Sequence, residues 1–133
     1  MEKGESRMSS GSYQDLAVWQ KAMVFAKDVY IITKCYPNSE LYGLTSQIRR
    51  GAVSIPGNIA EGWGRKSKGD FIRFLAVARG SAAELETEIL LSSEIGILSK
   101  DQSEPVLQNL TEIRKMLNAL IKSLKAKSLI PES

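Results

Sequence analysis

A chain of 133 residues that is 43% hydrophobic has enough apolar side chain for one core and too little for two. It contains no His and a single Cys, Cys35, which excludes zinc sites needing about four Cys or His ligands and Ser or Cys nucleophiles that rely on an imidazole base. The net charge of +3 is modest but unevenly spread: Arg49, Arg50, Arg65, Lys66, Lys68, Arg73 and Arg79 stand against Glu61 and Asp70, then Glu84, Glu86, Glu88, Glu94, Asp101 and Glu104 against Lys100, and the segment from Ile113 to Lys127 is basic again.

The first stretch, MEKGESRMSSGSYQ, lacks the apolar core of a signal peptide, and no apolar run reaches the roughly 18 residues that span a bilayer. Residues 1–13 are expected to be a disordered lead-in and residues 14–128 the folded domain. One thiol forms no internal disulfide, which suits a cytoplasmic protein. Aromatic residues make up only 7% of the chain while Leu, Ile, Ala, Glu and Lys are plentiful, a mixture that favours helices over sheets.

The first helical series is Leu16, Trp19, Ala22, Met23, Ala26, Val29, Tyr30 and Thr33, with Asp15 as the expected N-cap and Pro37 as the stop. The second is Leu44, Ile48, Ala52, Ile55, Ile59 and Trp63, opposite a line of Arg50, Ser54, Gly57, Glu61 and Arg65. Pro56 lies inside this helix, removes the bond to the Ala52 carbonyl and is expected to kink it at about 3 kcal/mol. Gly51, Ala52, Gly57 and Ala60 leave so little side chain that another backbone can approach closely, either in the same bundle or in a neighbouring subunit. Asn58 is expected to satisfy the carbonyl freed near Pro56 or to fix a subunit contact. Gly62 and Gly64 are the expected terminators, delivering Arg65, Lys66 and Lys68 in a turn.

The third helix is expected to open on a capping box, Ser67 with Asp70, to present Phe71, Phe74, Leu75, Ala78, Ala82, Leu85, Ile89 and Ser92, and to stop at Gly96. The fourth carries Val106, Leu110, Ile113, Leu117, Leu120, Ile121 and Leu124, and its Pro105 requires a start between Ser99 and Ser103 if the ring is to fall in the first turn. Four amphipathic helices with short connections predict an all-α protein, an antiparallel up-down-up-down four-helix bundle.

The glycine-rich GWGRKSKG fits neither G-x-x-x-x-G-K-[ST] nor G-x-G-x-x-G, and no strand precedes it, so a nucleotide loop is set aside. Glu61, Glu84 and Asp70 are the carboxylates available for acid–base work, but surface ion pairs are the simpler reading, and Glu61 stands four residues before Arg65 in the favourable helical order. Trp19 and Trp63 sit on core faces and are read as packing rather than base stacking.

The run YGLTSQIRRGAVSIPGNIAEGWGRKSKGDFIRFLAVARGSAAELETEI, Tyr42 to Ile89, together with DLAVWQKAM near the start, resembles the four-helix-bundle proteins encoded in intervening sequences of bacterial 23S ribosomal RNA genes, a family related to the accessory variability proteins of diversity-generating retroelements. The resemblance spans about Asp15 to Lys125. It implies a homopentamer that binds nucleic acid on a basic surface without catalysis, and in the retroelement branch a reverse transcriptase partner; the residues themselves lead to the expectation of RNA more than DNA as ligand and of no cofactor or metal. Carried over by position, the family's basic residues fall on Arg49, Arg50, Arg65, Lys66, Arg73 and Arg79. Gly51 and Gly57 stand where the family more often has Ala, which lowers helix propensity by about 1 kcal/mol each.

Two functions follow. The first is an oligomeric nucleic-acid binder using Arg49, Arg50, Arg65, Lys66, Lys68, Arg73 and Arg79, its phosphate contacts largely independent of sequence. The second is a protein-interaction scaffold. Either way, subunit contacts are expected at Gly51, Pro56, Gly57 and Asn58 of the second helix and at Glu84 and Glu88 of the third.

Overall fold

A computed structural model describes residues 11–129. Its α-helices are α1 (Ala17–Ile32), α2 (Leu44–Gly64), α3 (Lys68–Glu94) and α4 (Lys100–Leu129), joined by short 3-10 turns and loops, with no strand among the described residues. Each helix packs against its neighbours in sequence, and α1 also packs against α4, which closes a four-helix bundle. The core is one cluster, with Phe25, Val29, Ile48, Ile55, Ile59, Leu75, Leu85, Ile89, Leu110, Ile113 and Leu117 fully buried. Truncating one of the larger aliphatic members to Ala would cost about 2–5 kcal/mol.

Of the expected lead-in, residues 1–10 lie outside the described residues. Ser12 and Tyr13, however, belong to structure. The Ser12 hydroxyl accepts from the Gln14 amide at 3.0 Å and the Asp15 carboxylate accepts from the Ser12 amide at 3.3 Å, a reciprocal cap on the 3-10 turn Tyr13–Asp15. Asp15 therefore caps that turn and not α1, whose N-cap position is Leu16 with no side-chain bond. Tyr13 then packs edge-on against Trp19 at 5.3 Å.

The buried face of α1 is Val18, Ala22, Phe25, Ala26 and Val29. It is rotated from the expected series: Met23 and Tyr30 are 45% and 43% exposed, while Val18 and Phe25 point inward. Both sets satisfy a spacing of three and four, because α1 is apolar on most of its circumference.

In α2 the expected face is buried from Ile48 to Ile59. The helix continues through Pro56, which is itself buried inside the protomer, so its side chain is not available as a subunit contact. Asn58 does not reach the Ala52 carbonyl; its Nδ2 donates to the Ser54 carbonyl at 2.8 Å and to the Ser54 hydroxyl at 3.0 Å. Of the two expected terminators, Gly64 is the last residue of α2 and Gly62 is not. Gly62 is buried within the helix, and the left-handed turn after it is taken by Lys66, at φ 58°.

At the start of α3 the Ser67 hydroxyl accepts from the Asp70 amide at 3.2 Å, but the Asp70 carboxylate turns to Arg73, so half of the expected box forms. The far end is as expected: Gly96 at φ 84° lets the Ile97 amide reach the Ser92 carbonyl at 2.9 Å and the Gly96 amide reach that of Ser93 at 3.1 Å. For α4, Ser99 and Gln102 form the reciprocal cap, at 3.1 and 2.9 Å. Pro105 is thus the sixth helical residue rather than a first-turn one, and the Asp101 carbonyl loses its i+4 donor.

Candidate nucleic-acid interface

The seven basic residues singled out in the sequence do not form one surface. Arg50 and Arg65 are separated by fifteen residues of α2, about 22 Å along a helix axis. They fall into a group at the α2–α3 turn, a pair near the start of α2, and Arg79 further along α3, bonded to α4.

At the turn, Arg65, Lys66, Lys68 and Arg73 stand with Glu61 and Asp70, four cations against two carboxylates. Phe74 organises them. The Arg65 guanidinium lies 5.0 Å and that of Arg73 4.6 Å from its ring centroid, so one half-buried aromatic holds two cations close together. Glu61 fixes Arg65 from the preceding helical turn at 2.9 Å, and Asp70 fixes Arg73 at 3.2 Å. Both pairs are exposed, so they orient the guanidinium groups more than they stabilise the fold. Lys66 and Lys68 have no ion pair among the described residues and project into solvent. The turn can approach this tightly because Gly62 lets α2 press on α3: a β-carbon there would lie 2.7 Å from the Cβ of Phe74 and 3.2 Å from the Phe71 ring.

The pair near the start of α2 is built differently. The Arg49 Nε donates to the Thr33 hydroxyl at 2.8 Å, and its guanidinium lies 4.9 Å from the Tyr30 ring centroid. Arg50 donates to the Ser46 hydroxyl at 3.0 Å. Neither has a carboxylate partner among the described residues. Arg79 donates to the Asn118 amide oxygen at 3.0 Å, across to α4.

Of the expected subunit contacts, Gly51 faces Leu85 and Glu88, where a β-carbon would find ordinary contact distances, whereas Gly57 is exposed with nothing within 4 Å of such an atom. Glu84, Glu88, Gly51, Ser54 and Arg50 line a groove of about 480 Å³ between α2 and α3, crossed by a Ser54–Ser81 hydroxyl bond at 2.8 Å. Burial, and secondarily the Glu84 charge, raise the Glu88 carboxyl above its ordinary pKa. The acidic stretch of α3 is thus partly folded against α2, and Glu86 is taken up by Arg114 of α4.

Sequence reasoning misses Tyr30, Leu41 and Tyr42 as surface residues; with Arg49, Arg50 and Val53 they line a second groove, between α1 and α2. Apolar spacing places Tyr30 in the core, and only the rotation of α1 brings it under Arg49. The signal present in the sequence is Tyr42 beside Gly43, an aromatic at a turn with no apolar partner in register.

No helix among the described residues is long and apolar enough to cross a membrane. The family described as 23S rRNA-intervening sequence protein matches the chain over residues 14–119. The chain is also similar to a crystallised protein of unknown function from the S23 ribosomal protein family of Bacteroides thetaiotaomicron VPI-5482, with 31% sequence identity, a TM-score of 0.75, and coverage of 80% of this chain and 99% of that one. No curated protein matches it.

Proposed function

Because the chain belongs to the 23S rRNA-intervening sequence protein family, we propose that it is a non-catalytic, homo-oligomeric nucleic-acid-binding protein, an up-down-up-down antiparallel bundle that engages phosphates through the α2–α3 turn. The observation that carries this reading is the turn itself. Lys66 occupies a left-handed conformation that a glycine would adopt with less strain, in the same turn where Phe74 holds Arg65 and Arg73 together. Strain of this kind, about 1–2 kcal/mol, persists where the surrounding structure fixes it and clusters at ligand sites. The three-residue connection between α2 and α3 supports the antiparallel arrangement. RNA is favoured over DNA by the ribosomal RNA setting that the family's description names.

A pentamer, as the resemblance implies, would repeat the turn five times and convert weak single-site contacts into one multivalent surface. Of the three carboxylates considered for acid–base work, Glu61 and Asp70 are held by Arg65 and Arg73, which supports a non-catalytic role. The exposed free thiol of Cys35 fits a reducing cytoplasm. A scaffold role, such as an accessory subunit for a reverse transcriptase, is the second reading; the α2–α3 groove with Glu84 and Glu88 favours it as a site for a basic partner.

The test replaces Arg65, Lys66, Lys68 and Arg73 together by Gln and follows RNA and DNA affinity across a salt series. Every cation–phosphate pairing that the substitution abolishes should flatten the slope of log affinity against log salt by about 0.7 on single strands and 0.9 on a duplex. A folded variant with unchanged affinity and slope rejects the turn as the site. A parent protein that binds neither polymer at any salt leaves the scaffold reading standing.

A further inference from the structure

We propose that the groove between α1 and α2 is a stacking site for unpaired bases of single-stranded nucleic acid, separate from the phosphate-binding turn. Its most exposed member is Tyr42, at 93%, in the turn just before α2. Tyr30 and Val53 are partly exposed across a groove of about 500 Å³, with Arg49 and Arg50 beside them. No carboxylate lines it.

The arginines are preorganised for this ligand. Thr33 is buried, and its hydroxyl donates its one hydrogen to the Val29 carbonyl at 2.8 Å, so towards Arg49 it acts as acceptor. That bond uses Nε and leaves the terminal guanidinium nitrogens without a partner among the described residues, held over Tyr30. A base lying on an exposed tyrosine places its own phosphate within reach of such cations. The faces of duplex bases are already stacked on one another, so this combination of flat aromatic and fixed cation selects unstacked strands. The adjoining α2–α3 groove shares Tyr42 and Arg50 but is lined by Glu84 and Glu88, which repel a phosphate backbone. Charge therefore directs the strand to the α1 side.

This inference rests on the nucleic-acid reading above, and the experiment keeps the two apart. A short fluorescent single-stranded RNA of mixed sequence, and the same strand annealed to its complement, are titrated with the full chain and with its Tyr42→Ala and Tyr42→Phe variants. Removing one stacking platform should weaken single-strand binding by about 5- to 150-fold. The Tyr42→Ala variant should leave duplex affinity and the salt slope unchanged, because no charge is removed, and the Tyr42→Phe variant should bind like the parent. A 2-aminopurine in the strand should be quenched by the parent and not by Tyr42→Ala. Equal weakening on single strand and duplex, or none on either while the parent binds both, would overturn the stacking site and leave the phosphate-binding turn intact. A smaller assembly for Tyr42→Ala in sedimentation would reassign the groove to a subunit contact. A parent that binds neither probe removes the nucleic-acid reading and this inference with it.

Discussion

Gly62 of α2 and Phe74 of α3 meet so closely that a β-carbon on the glycine would stand 2.7 Å from the phenylalanine Cβ. Alanine is the better helix former by about 1 kcal/mol, yet here the α3 side would have to move. Gly62→Ala should therefore lower stability by about 1–3 kcal/mol in urea unfolding. Gly57→Ala, in the same helix but with nothing near it, should raise stability by about 0.5–1 kcal/mol. If both substitutions shift the midpoint in the same direction, the close approach of α2 and α3 is not what the glycine serves.

Gly57 also offers a clean probe of assembly. The position is exposed and a β-carbon there meets nothing within 4 Å, so Gly57→Leu should fold; if Gly57 lies at a subunit contact, sedimentation will show a smaller particle with an unchanged helical spectrum. An unchanged particle size would place that contact elsewhere.

At Lys66 stability and function should part. Lys66→Gly relieves the left-handed strain and should raise stability by about 1 kcal/mol. It also removes one cation and should lower the salt slope for RNA by about 0.7–0.9. A variant that is no more stable would show the φ of 58° to be unstrained, and one with the parent's slope would show that Lys66 meets no phosphate.

The two basic groups should act independently. Arg50 and Arg65 stand about 22 Å apart along the helix axis, far enough for additive free energies. Replacing Arg49 and Arg50 by Gln, and separately the four cations of the turn, should therefore give changes in log affinity that sum in the combined variant. A combined effect far from the sum would mean that the groups share one ligand contact or one conformational change.

Glu88 makes stability depend on pH. Its folded pKa is raised above 4.5, first by burial and then by Glu84, so the folded protein holds its proton more tightly than the unfolded chain. That contribution is complete below pH 4.5 and is lost as pH rises through the raised value. Glu88→Gln cannot ionise and should be the more stable form at neutral pH, by less than about 1 kcal/mol because solvent screens this open groove. The gap should close below pH 4.5, and a gap that widens in acid would mean that an attractive partner of Glu88, not its burial, controls it.

Hydrophobic spacing determined the four helices and the buried faces of α2, α3 and α4, because those helices have one apolar side and a polar one and only one rotation buries the first; the stop at Gly96 was legible from the glycine itself, which alone takes a positive φ without strain. On α1, apolar nearly all round, spacing admitted several rotations, and contact with α2 and α4 selected the one that exposes Tyr30. The basic residues were legible as a set but not as sites: only the packing of Phe74 against the turn and of Thr33 against Arg49 sorted them into groups. Glycine identity was no guide to function either. The sequence assigns close approach to Gly57 and termination to Gly62, and it is the position of α3 that leaves the first in open space and presses the second against Phe74.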